Sequence, residues 1–205
     1  MAIPQILFGL GVLGKALKAG IKIKKPNTTP KPDAKDGFKV KERKKLGPCV
    51  LRPFEPNTCK PNTGHHVVPD RVFRIGSRTG GTRIPGGPSE AEGLVICVKG
   101  KDLSKEAAHG QIHAIYDKME AVLGAKGKPP GTASLIELET LGALSVGKVT
   151  GCNPALIEAQ LRAYHQSRGL GPSAQVRADP YGKISQLLDP KKLGTGSTKI
   201  GGLSR

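Results

Sequence analysis

Thr63-Gly64-His65-His66-Val67-Val68-Pro69 sets two adjacent histidines at the head of a β-branched run, and His109-Gly110-Gln111-Ile112-His113 sets two more four residues apart. Between them lies the punctuation of a small fold. Val67-Val68 and Val72-Phe73 read as a first strand region, and a Gly/Pro/Arg-rich loop follows over 74–93. Leu94-Val95-Ile96-Cys97-Val98 then reads as a second strand, so the two predict a hairpin. Asp102-Leu103-Ser104 is a helix-capping signature. Ala108, Ile112, Ile115, Met119 and Val122, spaced by three or four, predict one amphipathic helix ending near Gly124.

Working outward, Ser134-Leu135-Ile136-Glu137 is a capping box that opens a second helix to about Val146. Asn153 and Pro154 open a third, with Leu156, Ile157 and Leu161 as its apolar side and Gly169 just past its end. His165 on this helix has no sequence partner and reads as a surface or interface histidine. Residues 171–205 are Gly- and Pro-rich and basic, with a short apolar patch from Ile184 to Leu188, and read as a mostly irregular tail. Residues 26–63 carry seven prolines among Lys, Asn and Thr and read as an extended arm. Residues 1–25 begin with fourteen uncharged positions and end in a lysine cluster. The charge follows the apolar run, so this is not a secretory signal, and a bilayer span needs about 20 apolar residues. Such a segment suits contact with a membrane surface or the junction of a longer chain. The expected architecture is α+β, with one folded unit over 64–170 between basic arms.

The charge has a direction. Of 205 residues, 33 are Lys or Arg and 16 Asp or Glu, a formal charge of +17, and the pI is about 10.0. Residues 1–63 contribute +10 and residues 169–205 contribute +4, whereas 64–168 hold 13 basic against 10 acidic residues. Basic flanks around a mixed centre suit a polyanionic partner, because each phosphate neutralised releases counterions. Aromatic residues make up only 3% and Trp is absent, so the core must be aliphatic and stacking platforms for single strands few, which tilts a nucleic-acid partner towards duplex DNA. Cys49, Cys59, Cys97 and Cys152 form no Cys-x-x-Cys pair, which excludes a zinc ribbon. Disulfides such as Cys49 with Cys59 or Cys97 with Cys152, and free buried thiols, fit the count equally.

The histidines carry the chemistry. His109 and His113 project from one helix face about 40° apart and can grip one cation together. Neighbours in extended backbone face opposite ways, so His65 and His66 need different tasks. One can join the helical pair as a third ligand, and the other can keep a nitrogen free as a base near neutral pH. Three protein ligands with an open position is the arrangement of a catalytic ion.

On these residues the chain resembles the Gly-His-His branch of the HNH/endonuclease VII nuclease superfamily, in particular the domains that end polymorphic secreted toxins. The resemblance covers about residues 45–170 in motif order and implies a ββα-metal core with added C-terminal helices. It implies His66 as general base, His65, His109 and His113 as ligands of one divalent ion, and hydrolysis of phosphodiesters, DNA before RNA. Zinc and magnesium are the leading ions, with nickel and manganese as alternatives, and three imidazoles favour the softer ones. The central Asn of the HNH pattern has no counterpart, since the chain reads Ser89-Glu90-Ala91-Glu92-Gly93 before the second strand. Arg71, Arg74, Arg78 and Arg83 are placed to clamp phosphates, or are solvated loop arginines. The resemblance further implies an antibacterial effector delivered by a type VI-like secretion route into the cytoplasm of a target bacterium, with a delivery protein and a cognate immunity protein. The charge of this chain makes that antidote acidic. Two other classes fit the same residues: a non-catalytic nucleic-acid-binding protein stabilised by a metal clip, and a membrane-active toxin acting through residues 1–25.

Overall fold

The computed structural model describes residues 47–100, 106–184 and 188–195. In chain order these form β1 (Arg52–Pro53), β2 (Thr63–His66), a 3-10 helix (Asp70–Phe73), β3 (Arg74–Ile75), β4 (Thr82–Arg83), β5 (Leu94–Val98), α1 (Ala108–Lys126), β6 (Thr132–Ser134), α2 (Leu135–Thr150), α3 (Pro154–Ser167) and β7 (Gln175–Arg177). The result is α+β, three helices with small sheets. The central sheet has the order β1-β5-β2. It is antiparallel throughout, with Gly64 opposite Cys97, His65 opposite Ile96 and His66 opposite Val95.

The first strand is earlier and shorter than its β-branched residues predict. Val67 and Val68 lie past its end, and Val72 and Phe73 lie in the 3-10 helix, although all four are buried. Pro69 removes a ladder donor at this point, so apolar character here reports burial and not strand. In α1 the buried side is Ile112, Tyr116, Glu120 and Gly124, while Met119 and Val122 are 47% and 43% exposed. The stripe is rotated because the Arg71 guanidinium satisfies Glu120 inside the fold, Nη2 donating to Oε2 at 2.6 Å. Gly124 is required within the helix, since a Cβ there would stand 1.8 Å from the Ala178 carbonyl oxygen. The cap signature at 102–104 lies outside the described residues.

The other two helices follow their local chemistry. Ser134 and Glu137 close the capping box, the Ser134 N–H donating to Glu137 Oε2 at 2.9 Å. The helix runs past Val146 to Thr150 and stops at Gly151, whose φ of 76° is left-handed. Asn153 Oδ1 accepts from the Ala155 N–H at 2.9 Å at the start of α3.

Segments expected as arm and tail belong to the same core. Leu51 is buried and its N–H donates to Gln160 Oε1 at 2.9 Å. In the tail, Ala174, Val176 and Ala178 alternate inward around β7, and Leu188 and Leu193 are buried beyond it. The disulfides join Cys49 to Cys152 and Cys59 to Cys97, a connectivity different from both pairings considered above. Spatial neighbours set it: one bridge fastens the segment before β1 to the α2–α3 turn, and the other fastens the loop before β2 to β5. Residues 1–46, including the apolar-cationic segment and most of the arm, lie outside the described residues. Among those described, no helix is long and apolar enough to cross a membrane.

Candidate metal centre and active site

β2 ends in the histidine doublet, and its pairing with β5 decides where each ring goes. His65 is 2% exposed and meets His109 and His113 of α1. The three ring centroids are 5.0, 4.8 and 4.9 Å apart, at interplanar angles of 81°, 79° and 71°. One nitrogen from each lies within 4.8 Å of the others. Burial, followed by the charges of His113, His109, His66 and Arg71, holds His65 well below the usual imidazole range. It is therefore neutral, the form that ligates metals. Its buried Nδ1 finds no hydrogen-bond partner among the described residues. A neutral His65 with a buried nitrogen that has no partner among the described residues, and two half-buried imidazoles beside it, fit a divalent cation. Asp117 stands one turn along α1, its Oδ1 3.8 Å from His113 Nδ1, where a carboxylate can orient the ring.

His66 faces a different environment. Its Nε2 is 2.8 Å from the backbone carbonyl of Glu90, which can only accept, so Nε2 carries the proton and Nδ1 keeps the lone pair in the neutral ring. Phe54 lies against the same ring with centroids 4.9 Å apart. Gly93 makes room for it, since a Cβ there would come within 2.6 Å of His66 Cδ2. The ring is thus oriented by a backbone carbonyl and not by a side chain. No residue type in the sequence signals a backbone acceptor. The turn carrying it is fixed from several sides. Glu92 Oε2 accepts from the Ser89 N–H at 2.8 Å, Tyr164 Oη donates to the Glu92 carbonyl at 2.8 Å, and Arg168 grips the Glu92 carboxylate. These donors, Ser89 first and then Arg168, pull the Glu92 carboxyl down to about 2.

The four arginines are each paired with a carboxylate. Arg71 holds Asp117 and Glu120, Arg74 and Arg83 share Asp70, and Arg78 holds Glu90. Arg71, Arg74 and Arg78 line a cleft of about 270 Å³ together with His66, His109 and His113; Arg83 does not line it. The Arg78 side chain is 69% exposed and is the most accessible of the four. His165, expected on the surface, is 2% exposed, and its Nδ1 is 2.7 Å from Glu139 Oε1. Arg162 donates to the other oxygen of that carboxylate.

The chain is similar to a DNase toxin. It matches the DNase toxin Tse7 of Pseudomonas aeruginosa at 24% identity over 171 residues, covering 75% of this chain and 44% of that protein. The chain thus spans less than half the length of this relative. No family model matches it, and no solved structure does.

Proposed function

We propose that this chain is a metal-dependent endonuclease of the ββα-metal type, a DNase that serves as an antibacterial toxin domain. The approach of His65, His109 and His113 to one point beside His66 carries the reading. The antiparallel β2–β5 pair followed by α1 supports the ββα assignment, and the similarity to a DNase toxin supports DNA as substrate. His65, His109 and His113 would hold the ion. When bound, it supplies Lewis-acid stabilisation of charge building on the phosphate. His66, with its proton fixed on Nε2 by the Glu90 carbonyl, accepts a proton at Nδ1 from the attacking water. Arg78 swings from Glu90 to a phosphate oxygen, and Arg71 and Arg74, held by their carboxylates, brace the walls of the cleft. Two disulfides support a secreted protein. The charge of +17 supports an acidic immunity protein that covers the cleft. Delivery into the cytoplasm of a target bacterium follows from the same reading.

Supercoiled plasmid and RNA incubated with the chain test it. Plasmid is expected to be nicked and linearised, EDTA to stop the cutting and zinc, nickel, manganese or magnesium to restore it. His66→Ala is expected to lose about 10² to 10⁴ in rate with its ion retained. Cutting that persists in EDTA, or plasmid left intact with every ion, overturns the proposal.

A further inference from the structure

A second cleft, of about 810 Å³, is lined by Phe54, Asn57, Lys60, Asn62, Thr63 and Gly64. One lining residue touches the candidate base directly, the Phe54 ring lying against the His66 ring with centroids 4.9 Å apart. Phe54 is itself precisely seated by small neighbours: a Cβ at Gly64 would lie 3.2 Å from its Cδ2. Its N–H donates at 3.0 Å to the carbonyl of Gly93, the residue that makes room for His66. The outer wall is a loop tied down at its far end by the Cys59–Cys97 bridge and by Asn57 Oδ1, which accepts from the Cys59 N–H at 3.1 Å. This is a formed cleft with a mainly apolar lining, one aromatic ring, one exposed lysine and side-chain amides at its edge.

We infer that this cleft takes one unstacked nucleobase of the strand being cut, the base adjacent to the scissile phosphate, stacked on Phe54 with the following phosphate at Lys60. The inference rests on the nuclease reading and adds a substrate class, reversing the duplex preference expected from the few aromatic residues: single-stranded or locally unpaired DNA is cut in preference to intact duplex. The reasoning is one of continuity and size. A strand whose phosphate lies at His66 must continue to one side or the other. On the metal side it meets Arg78 at the scissile phosphate and then Arg71 and Arg74, which already hold carboxylates. On the Phe54 side it meets a ring face, a cation and space larger than a base. Stacking on an aromatic ring is tolerant of sequence because every base has a π face, and in a paired duplex that base must first be unpaired.

The experiment uses a single-stranded oligonucleotide with one abasic residue moved stepwise past the cleavage site. In the wild-type chain an abasic residue at one position is expected to raise KM about tenfold, with a smaller change in kcat. Phe54→Tyr, which keeps the ring, is expected to show the same profile. Phe54→Leu, which keeps apolar bulk without a π face, is expected to lose the dependence on that position. An identical abasic profile in wild type and Phe54→Leu overturns the inference. Equal rates on duplex and single strand overturn it as well. Should the chain cut no DNA with any ion, the nuclease reading fails, and an NMR titration of the wild-type chain with the dinucleotide pTpT decides the cleft separately. Shifts at Phe54, Lys60 and Gly64 uphold it, and shifts absent there overturn it.

Discussion

His65 and His165 are equally buried, each 2% exposed, yet they are surrounded in opposite ways. His165 is electrically finished by protein. Glu139, itself fully buried, accepts from its ring at one oxygen and from Arg162 at the other. His65 has two more imidazoles edge-on to it, a guanidinium nearby, and a buried nitrogen for which the described residues offer no partner. Burial of a histidine therefore says little about its task. A ring that keeps its lone pair beside two further imidazoles is prepared for a cation, whereas a ring tied to a carboxylate is packing chemistry.

The largest expected effect separates the two directly. His113→Ala is expected to lose the bound ion and to cut plasmid about a thousandfold more slowly or worse, since an ion that stabilises the transition state is gone. His165→Ala, at an equally deep site, is expected to keep its ion and its rate per folded molecule while melting earlier. Elemental analysis of both proteins beside a plasmid assay makes the comparison. Loss of the ion from His165→Ala with retention in His113→Ala would reverse it. Next in size is the α2–α3 side itself. Glu139→Ala leaves Arg162 and His165 facing a buried vacancy, and removing one partner of a buried pair costs about 3–5 kcal/mol. Urea unfolding should show this as a lower midpoint at unchanged slope. A loss below about 1 kcal/mol would mean that solvent reaches the cluster and that His165 is not held as argued.

The same contrast explains what could be read before coordinates. Local chemistry is legible in order: the capping box at Ser134–Glu137, the Asn153–Pro154 start of α3 and strand β5 all rest on neighbours within a few residues. That one histidine of the doublet stands with His109 and His113 is also legible, because an i, i+4 pair on a helix and a strand preceding it limit the arrangements, whereas the choice of His65 over His66 came from the family resemblance alone. Long-range pairing is not. Nothing near Arg71 in the chain announces Asp117 and Glu120, some 46 and 49 residues away. His165 reads as a surface residue because Glu139 is 26 residues distant. The strand expected at Val72-Phe73 fails for a related reason: apolar residues mark what is buried, and Pro69 with the ion pairs of Asp70 decides the backbone. Four cysteines allow three connectivities, and only the packing of β1, β5 and the α2–α3 turn selects between them.

The smallest expected effect is a pH dependence of stability confined to the His65 side. Its neutral form is favoured in the fold, first by burial and then by the charges of His113, His109, His66 and Arg71, so its folded pKa lies well below 6.5. The unfolded chain protonates near the usual value and the folded chain does not. Below pH 6.5 the unfolded state therefore binds more protons, and stability must fall as pH falls, by up to about 1.4 kcal/mol per unit for one group. Above pH 6.5 both states hold a neutral ring and the contribution is level. Urea unfolding of metal-free wild type and His65→Asn from pH 8 to 5.5 isolates the ring: the difference between the two proteins is expected to be constant down to 6.5 and to shrink below it. Bound ion should steepen the acid side, since protons and cation compete for the same lone pairs. A difference that stays level to pH 5.5 would mean that His65 takes up its proton inside the fold, and a protonated ring at the centre of the trio has nothing to offer a cation.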